Sequence, residues 1–248
     1  MDTLQRILIW DLPTRIFHWL LVLAFIAIAV IVFVLGDDSS FFPYHALLGI
    51  VVILMVALRI LWGFIGTHHA RFSSFTYSLH SVVAYLKTAL HGKGHLYAGH
   101  NPGSSWAIFA MIIFFFGLAV TGFLLGRRVE SVKEIHEYLA WGMLVTAVIH
   151  IAGILLHTIR NRENISASMM HGYKSANPEE AILSSQPLPA SVFLLVVAAW
   201  TYGVLANYNP QTGSAQLPIV GIQLSLTDEA EDNNEEEQDD SDDKDDDE

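Results

Sequence analysis

Histidines in apolar stretches are the residues of this sequence with the clearest capacity for chemistry. His136 and His150 lie fourteen residues apart in one stretch, and His18 and His45 each lie near one end of another. Fourteen residues are close to four helical turns, so His136 and His150 face the same way, about 21 Å apart along the axis. Imidazoles inside a bilayer are costly without a partner. Four of them at two depths indicate two bis-histidine metal centres, which is how a protein holds two haems.

The composition indicates that the elements positioning these histidines are membrane spans. The chain is 52% hydrophobic and only 15% charged, which is too apolar for a soluble domain of this length. Its charge-free runs are long enough for about 20 apolar residues each. They predict five transmembrane helices, near residues 14–35, 44–66, 105–126, 134–158 and 189–206. The first lacks a small-residue cleavage site behind it, so we interpret it as a retained anchor and not a signal peptide.

We therefore expect an all-α integral membrane protein in three parts. Residues 1–175 are predicted to form a four-helix di-haem bundle, residues 176–208 a linker and the fifth span, and residues 209–248 a disordered acidic tail. The net charge of −12 comes from this tail, because residues 228–248 contain fifteen acidic residues and one lysine. That segment has no aromatic residue and almost nothing to bury, which is typical of disorder.

Basic residues near span ends predict the orientation, since Lys and Arg favour the cytoplasm. The first loop contains Asp37 and Asp38 and no basic residue, whereas loop 67–104 and the segment after the fourth span are basic. The third loop, with Arg127, Arg128 and Lys133, is an exception. We place the N-terminus inside and the C-terminus outside.

These directions predict which histidines pair. His18 and His150 share the inner depth, and His45 and His136 share the outer depth, as axial ligands on facing helices must. The chain has no cysteine, so covalent haem attachment and iron–sulfur clusters are excluded and non-covalent haem b remains. His157 lies on the same face seven residues after His150, and spacing alone leaves it as an alternative inner ligand. The competing interpretation is that all of these are satisfied core histidines.

Several basic and histidine side chains are further candidates. Arg59 follows His45 by fourteen residues, so it can pair with a propionate of the inner haem or extend to the headgroups. Arg127, Arg128 and Lys133 hold the corresponding place near the outer haem. Loop 67–104 is rich in histidine, which favours solvated side chains over a Zn²⁺ or Ni²⁺ site because cysteines are absent. Those histidines are His68, His69, His80, His91, His95 and His100. Residues 74–90 are predicted to form an amphipathic surface helix.

Five stretches carry a resemblance to a known family. They are WDLPTRIFHWL at 10–20, HALLGIVVILMVALRILWGFIG at 45–66, GHNPGSSW at 99–106, EIHEYLAWG at 134–142 and IHIAGILLHTIRNRENISASMMHGYK at 149–174. In this order, over about residues 7–175, the sequence resembles the bacterial cytochrome b561 family, which includes the b-type subunit of membrane-bound nickel–iron hydrogenases. The resemblance implies two b haems bound by His18, His45, His136 and His150, and thereby favours His150 over His157.

The resemblance also implies electron exchange between membrane quinone and a redox partner. We expect a bacterial inner-membrane cytochrome whose partner is a periplasmic c-type cytochrome or a hydrogenase-like enzyme, with membrane lipid around it and no nucleic-acid partner. The acidic tail either attracts a basic cytochrome or is merely solvated. Glu134, Glu137, His100 and His157 are unranked proton acceptors for quinol chemistry. The alternatives are a histidine-based metal or ion transporter and a structural membrane anchor for a redox enzyme.

Overall fold

A computed structural model describes residues 4–91 and 97–226. Its helices are α1 (Leu12–Val30, continued by a π-helical turn Ile31–Leu35), α2 (Phe42–Ile65), α3 (Leu79–His91), α4 (Pro102–Gly126), α5 (Lys133–Asn161), α6 (Ile165–His171) and α7 (Pro187–Ala206). Five of them, α1, α2, α4, α5 and α7, are long and apolar enough to cross a membrane. The five predicted spans are confirmed, each to within a few residues.

The starts of two spans follow from local capping chemistry. Asp11 precedes α1, and its Oδ1 accepts a hydrogen bond from the backbone N–H of Thr14 at 2.9 Å. Asn101 precedes α4 and accepts from the N–H of Ser104 at 2.9 Å. A proline stands in the first turn of both helices, where its missing N–H costs nothing. These caps fix where each span enters the bundle.

The spans run alternately up and down, so the bundle has two distinct ends. We call the end that contains Leu12, Ile65, Pro102, Asn161 and Pro187 the N-terminal end, and the opposite one the C-terminal end. Helix α4 packs along α5, while α1 packs against α2 and α7 packs against both. Glycines allow the close approach of α4 and α5, because a Cβ on Gly142 would lie 2.5 Å from Phe114 and one on Gly117 would lie 2.8 Å from Leu139.

The N-terminal end is closed by a small sheet and by the predicted surface helix. Strand β1 (Gln5–Leu8) pairs antiparallel with β2 (Tyr173–Ala176), which ties the start of the chain to the segment after α6. The surface helix expected at 74–90 is present as α3. It begins later than expected, at Leu79. Phe75, which was expected on its apolar face, lies before it and is buried against the rings of His100 and Phe109, with 1% of its surface exposed.

The C-terminal end carries a sheet that the sequence reading missed. The prediction of a disordered tail from residue 209 is wrong for residues 209–226. Strands β3 (Tyr208–Asn209), β4 (Ser214–Gln216) and β5 (Gln223–Ser225) form an antiparallel sheet in that order. The physical reason is composition: residues 209–226 carry no charge and provide apolar side chains, which pack on α2 and α7. The acidic segment 228–248 lies outside the described residues.

Candidate haem centres

One histidine pair lies toward the N-terminal end of the bundle. His18 on α1 and His150 on α5 are close enough to interact electrostatically, although their helices make little direct backbone contact in the part of the chain that the structure describes. The Nδ1 atom of His18 is buried and has no hydrogen-bond partner among the described residues. The structure therefore brings together the two histidines predicted for the inner centre.

The second pair, toward the C-terminal end, is held more tightly. His45 on α2 and His136 on α5 also interact electrostatically. The Nδ1 atom of His45 lies 2.8 Å from the carbonyl oxygen of Phe42, and Nδ1 of His136 lies 2.8 Å from Oγ1 of Thr121. A carbonyl can only accept, so Nδ1 of His45 carries the proton and Nε2 keeps its lone pair, as a metal-binding imidazole requires.

His157, the alternative inner ligand, is engaged elsewhere. It is buried, and its Nε2 lies 3.2 Å from Oε2 of Glu163. Lys174 approaches the other carboxylate oxygen at 3.6 Å and donates to the carbonyl oxygen of Tyr97 at 2.7 Å. Burial raises the pKa of Glu163, but the hydrogen bond from His157 and the charge of Lys174 outweigh it and hold the pKa below its ordinary value. These contacts engage His157 at the end of α5, and His150 is the histidine that interacts electrostatically with His18.

Three arginine and histidine side chains at the N-terminal end each have a buried nitrogen that lacks a hydrogen-bond partner among the described residues. Nη2 of Arg59 donates to the carbonyl oxygen of Ala70 at 3.2 Å, while its Nη1 is buried without a partner among the described residues. The same holds for Nε of Arg15 and Nδ1 of His100. Burial, with the nearby charge of Arg59, holds the pKa of His100 well below its ordinary value. Buried unsatisfied donors are rare in proteins, and carboxylates such as haem propionates would satisfy the two guanidinium groups.

A carboxylate that the sequence reading missed fixes the geometry of this end. Asp11 is buried, with 1% of its surface exposed. Besides capping α1, its Oδ2 accepts from Nε1 of Trp62 at 3.1 Å and from Oγ1 of Thr67 at 2.5 Å. It thus joins the start of α1 to the end of α2 and sets the relative depth of His18 and Arg59. The Asp-Leu-Pro helix start was the signal that could have found it.

Glycines distinguish helix packing from open space beside the histidines. Gly49 lies one turn after His45 and Gly153 nearly one turn after His150, and a Cβ at either glycine would meet nothing within 4 Å. Both differ from the glycines packed between α4 and α5. The open space next to Gly49 and Gly153, together with the imidazole donors, fits a flat macrocycle bound at the histidines.

Other predicted candidates contact other parts of the chain. Arg127 and Arg128 line a pocket together with residues of the C-terminal sheet, and Nη1 of Arg127 lies 3.5 Å from the carbonyl oxygen of Gln223. Nε2 of His69 lies 2.7 Å from the carbonyl oxygen of Glu180. Within residues 4–91 and 97–226, no group of three or more His, Asp or Glu side chains could hold a metal ion; His95 falls outside that range.

Membrane-length helices with facing imidazoles between them define a multi-pass membrane protein of the cytochrome type. Residues 9–172 match the family described as prokaryotic cytochrome b561, and the chain belongs to this family. It is a membrane b-type cytochrome of electron transport, and haem b is its cofactor.

Several relatives share the description probable Ni/Fe-hydrogenase B-type cytochrome subunit. The chain is 26% identical over 209 residues to that of Bradyrhizobium diazoefficiens, covering 66% of this chain and 84% of the relative. It is 26% identical over 213 residues to that of Cupriavidus necator, covering 67% and 86%, and 25% identical over 213 residues to that of Rhizobium leguminosarum, covering 68% and 88%. No solved structure gives a significant match.

Proposed function

We propose that the protein transfers electrons between membrane quinone and a redox partner outside the membrane, using two non-covalent haem b groups. His18 and His150 hold the inner haem, and His45 and His136 hold the outer one. The observation that carries this proposal is the proximity of the two imidazoles in each pair, which come from helices that otherwise make little contact in the described residues. When bound, haem b supplies reversible one-electron oxidation and reduction.

The surrounding residues orient the ligands and balance charge. The hydrogen bond from His45 to the Phe42 carbonyl keeps the proton on Nδ1 and leaves Nε2 of His45 free to bind a metal. At the N-terminal end, Arg59 and Arg15 offer unpaired N–H groups to propionate carboxylates. The apolar walls of the spans exclude water from both places. Histidine identity, hydrogen bonding and burial are the means by which a protein adjusts the potential of a b haem.

The orientation we propose places the N-terminus in the cytoplasm and the C-terminal end toward the periplasm, in the bacterial inner membrane. Arg15, Arg160 and Lys174 lie at the N-terminal end and support this assignment through the preference of basic residues for the cytoplasmic side. The basic loop between α4 and α5 opposes it. Single cysteines placed at Asp38 and at Gln211 test this orientation. Both should react with an impermeant maleimide in intact cells, and protection of both would indicate the reverse orientation.

Of the four candidate proton acceptors for quinol oxidation, we favour His100, because its lowered pKa keeps the ring neutral and therefore free to accept a proton. Glu134 and Glu137 are exposed near the C-terminal end, and His157 is already paired with Glu163. The buried Nδ1 of His100 has no hydrogen-bond partner among the described residues, and the ring interacts electrostatically with His150. We propose that quinol binds near the N-terminal pair and that His100 accepts a proton from it.

The redox partner is proposed from the relatives and from charge. The relatives are named as hydrogenase cytochrome subunits, which favours a hydrogenase-like enzyme as the partner. The net charge of −14 in residues 228–248 favours a basic c-type cytochrome, because opposite charges increase the rate of encounter. Both proteins would meet the C-terminal end from the periplasm.

Reduction of the purified protein by a quinol analogue tests the function. Stopped-flow spectra should show the haem α-band growing after mixing with duroquinol, and His100→Gln should slow this while haem content stays the same. Glu134→Gln is the matched control and should reduce at the wild-type rate. If dithionite reduces the haems but duroquinol does not, the protein is a structural anchor and not a quinol-linked electron carrier. A colourless protein would overturn the cytochrome proposal.

A further inference from the structure

A chain of hydrogen bonds runs from His136 on α5 into the backbone of α4. Nδ1 of His136 lies 2.8 Å from Oγ1 of Thr121, and that oxygen lies 2.8 Å from the carbonyl oxygen of Gly117, one turn earlier in the same helix. Thr121 is buried, with 7% of its surface exposed. Its hydroxyl is therefore shielded from water and held between two polar atoms of the protein.

The proton positions along this chain follow from donor and acceptor rules. The Thr121 hydroxyl has one proton, and the contact between its oxygen and the Gly117 carbonyl oxygen requires a proton between them, since two oxygen lone pairs at 2.8 Å would repel. Thr121 therefore donates to Gly117 and can only accept from His136. Nδ1 of His136 carries the proton, and Nε2 is left with a free lone pair.

Gly122, the next residue of α4, makes room for the same ring. A Cβ at this position would lie 3.3 Å from Cε1 of His136, which is tighter than ordinary van der Waals contact. One turn of α4 thus provides both a hydrogen-bond acceptor for the ring and space at its edge. No such acceptor faces His18, whose Nδ1 has no partner within the described ranges.

We propose that Thr121 is a positioning residue for His136. Its hydroxyl fixes the tautomer and ring orientation of this histidine and would strengthen its electron donation to the outer haem. The proposal rests on the proposed function, in which His136 binds haem. A histidine whose second nitrogen donates a hydrogen bond is a more basic ligand. Strengthened donation stabilises the oxidised iron, so it lowers the potential of the outer haem relative to a centre that lacks this bond.

Thr146 offers a matched control on α5. Its hydroxyl donates the same kind of bond to the carbonyl four residues earlier, with Oγ1 2.8 Å from the oxygen of Gly142, and it makes no hydrogen bond to a histidine of the described residues. Both threonines are in transmembrane helices, and replacing either with valine changes the side-chain volume little. The general cost of removing an intrahelical threonine bond is therefore the same in the two variants.

The experiment uses full-length protein in nanodiscs and compares Thr121→Val, Thr121→Ser and Thr146→Val. Potentiometric titration of the α-band should show that Thr121→Val raises one of the two haem midpoint potentials. A tenfold change in the protein's relative affinity for oxidised and reduced haem corresponds to about 59 mV. Transfer of haem to apomyoglobin should become about 10–100-fold faster for that haem. Thr121→Ser and Thr146→Val should match the wild type.

Wild-type midpoints and transfer rates in Thr121→Val would overturn the proposal, and so would equal changes in Thr146→Val. If valine prevents assembly, Thr121→Ala removes the same hydroxyl with a smaller side chain and should give the same raised midpoint. The proposed function fails separately: retention of both haems by His136→Ala would show that His136 is not a ligand, whatever Thr121 does.

Discussion

Replacement of Asp11 by alanine should destabilise the N-terminal end of the bundle and the haem centre within it. The change removes the cap of α1 and leaves the indole N–H of Trp62 and the hydroxyl of Thr67 without their acceptor. Losing a cap costs about 1 kcal/mol. Each unsatisfied donor costs about 1–3 kcal/mol, and the lower figure applies because Trp62 and Thr67 are only half-buried.

The sum is about 3 kcal/mol, which for a chain of this size lowers the melting temperature by about 6–12 °C. Because Asp11 also sets the depth of His18 against Arg59, haem should be lost preferentially from the inner centre. Thermal unfolding followed by Trp fluorescence and by the Soret band measures both effects. Asp38→Ala, in the exposed first loop, is the control. A melting temperature within 1 °C of wild type for Asp11→Ala would refute the role assigned to this carboxylate.

Three further results are expected. Leucine at Gly49 or Gly153 should leave the fold intact, because a Cβ there meets nothing within 4 Å. It should reduce haem content, because its side chain would fill the space proposed for the macrocycle. Full haem content would mean that these glycines face lipid. The stabilising contribution of Glu163, whose folded pKa is lowered, is present above the ordinary value of 4.5 and is lost as the pH falls through the folded value; melting curves of Glu163→Gln should therefore depend less on pH between about 3 and 5. Deletion of residues 228–248 should slow reduction of a basic c-type cytochrome at low ionic strength only. An unchanged rate at low ionic strength would show that the tail does not attract this partner.

The spans were predictable from the sequence because a bilayer imposes a strict requirement on length and charge. Uninterrupted apolar runs end at charged residues such as Asp37 and Arg127, and the helices end near the same places. The facing of His45 with His136 followed from the rise of a helix and the alternation of span directions. Both inferences need only one-dimensional information about depth.

Contacts between distant segments were not predictable in the same way. Nothing in the spacing of His157 shows that Glu163 and Lys174 fold back onto it, so geometry alone left two candidates for the inner centre. The C-terminal sheet was missed because its strands are two or three residues long, too short for a clear alternating pattern. The proximity of Thr121 to His136 depends on how α4 and α5 rotate against each other.

Haem stoichiometry in single and double histidine variants decides whether the four histidines form two separate haem centres. Pyridine haemochromogen spectra should give two b haems per chain for the wild type and one for His18→Ala or His136→Ala, because each variant loses one axial ligand. The double variant His18→Ala/His136→Ala should hold none, while His157→Ala should keep two. Two haems in either single variant, or the loss of one in His157→Ala, would contradict the assignment of the two centres.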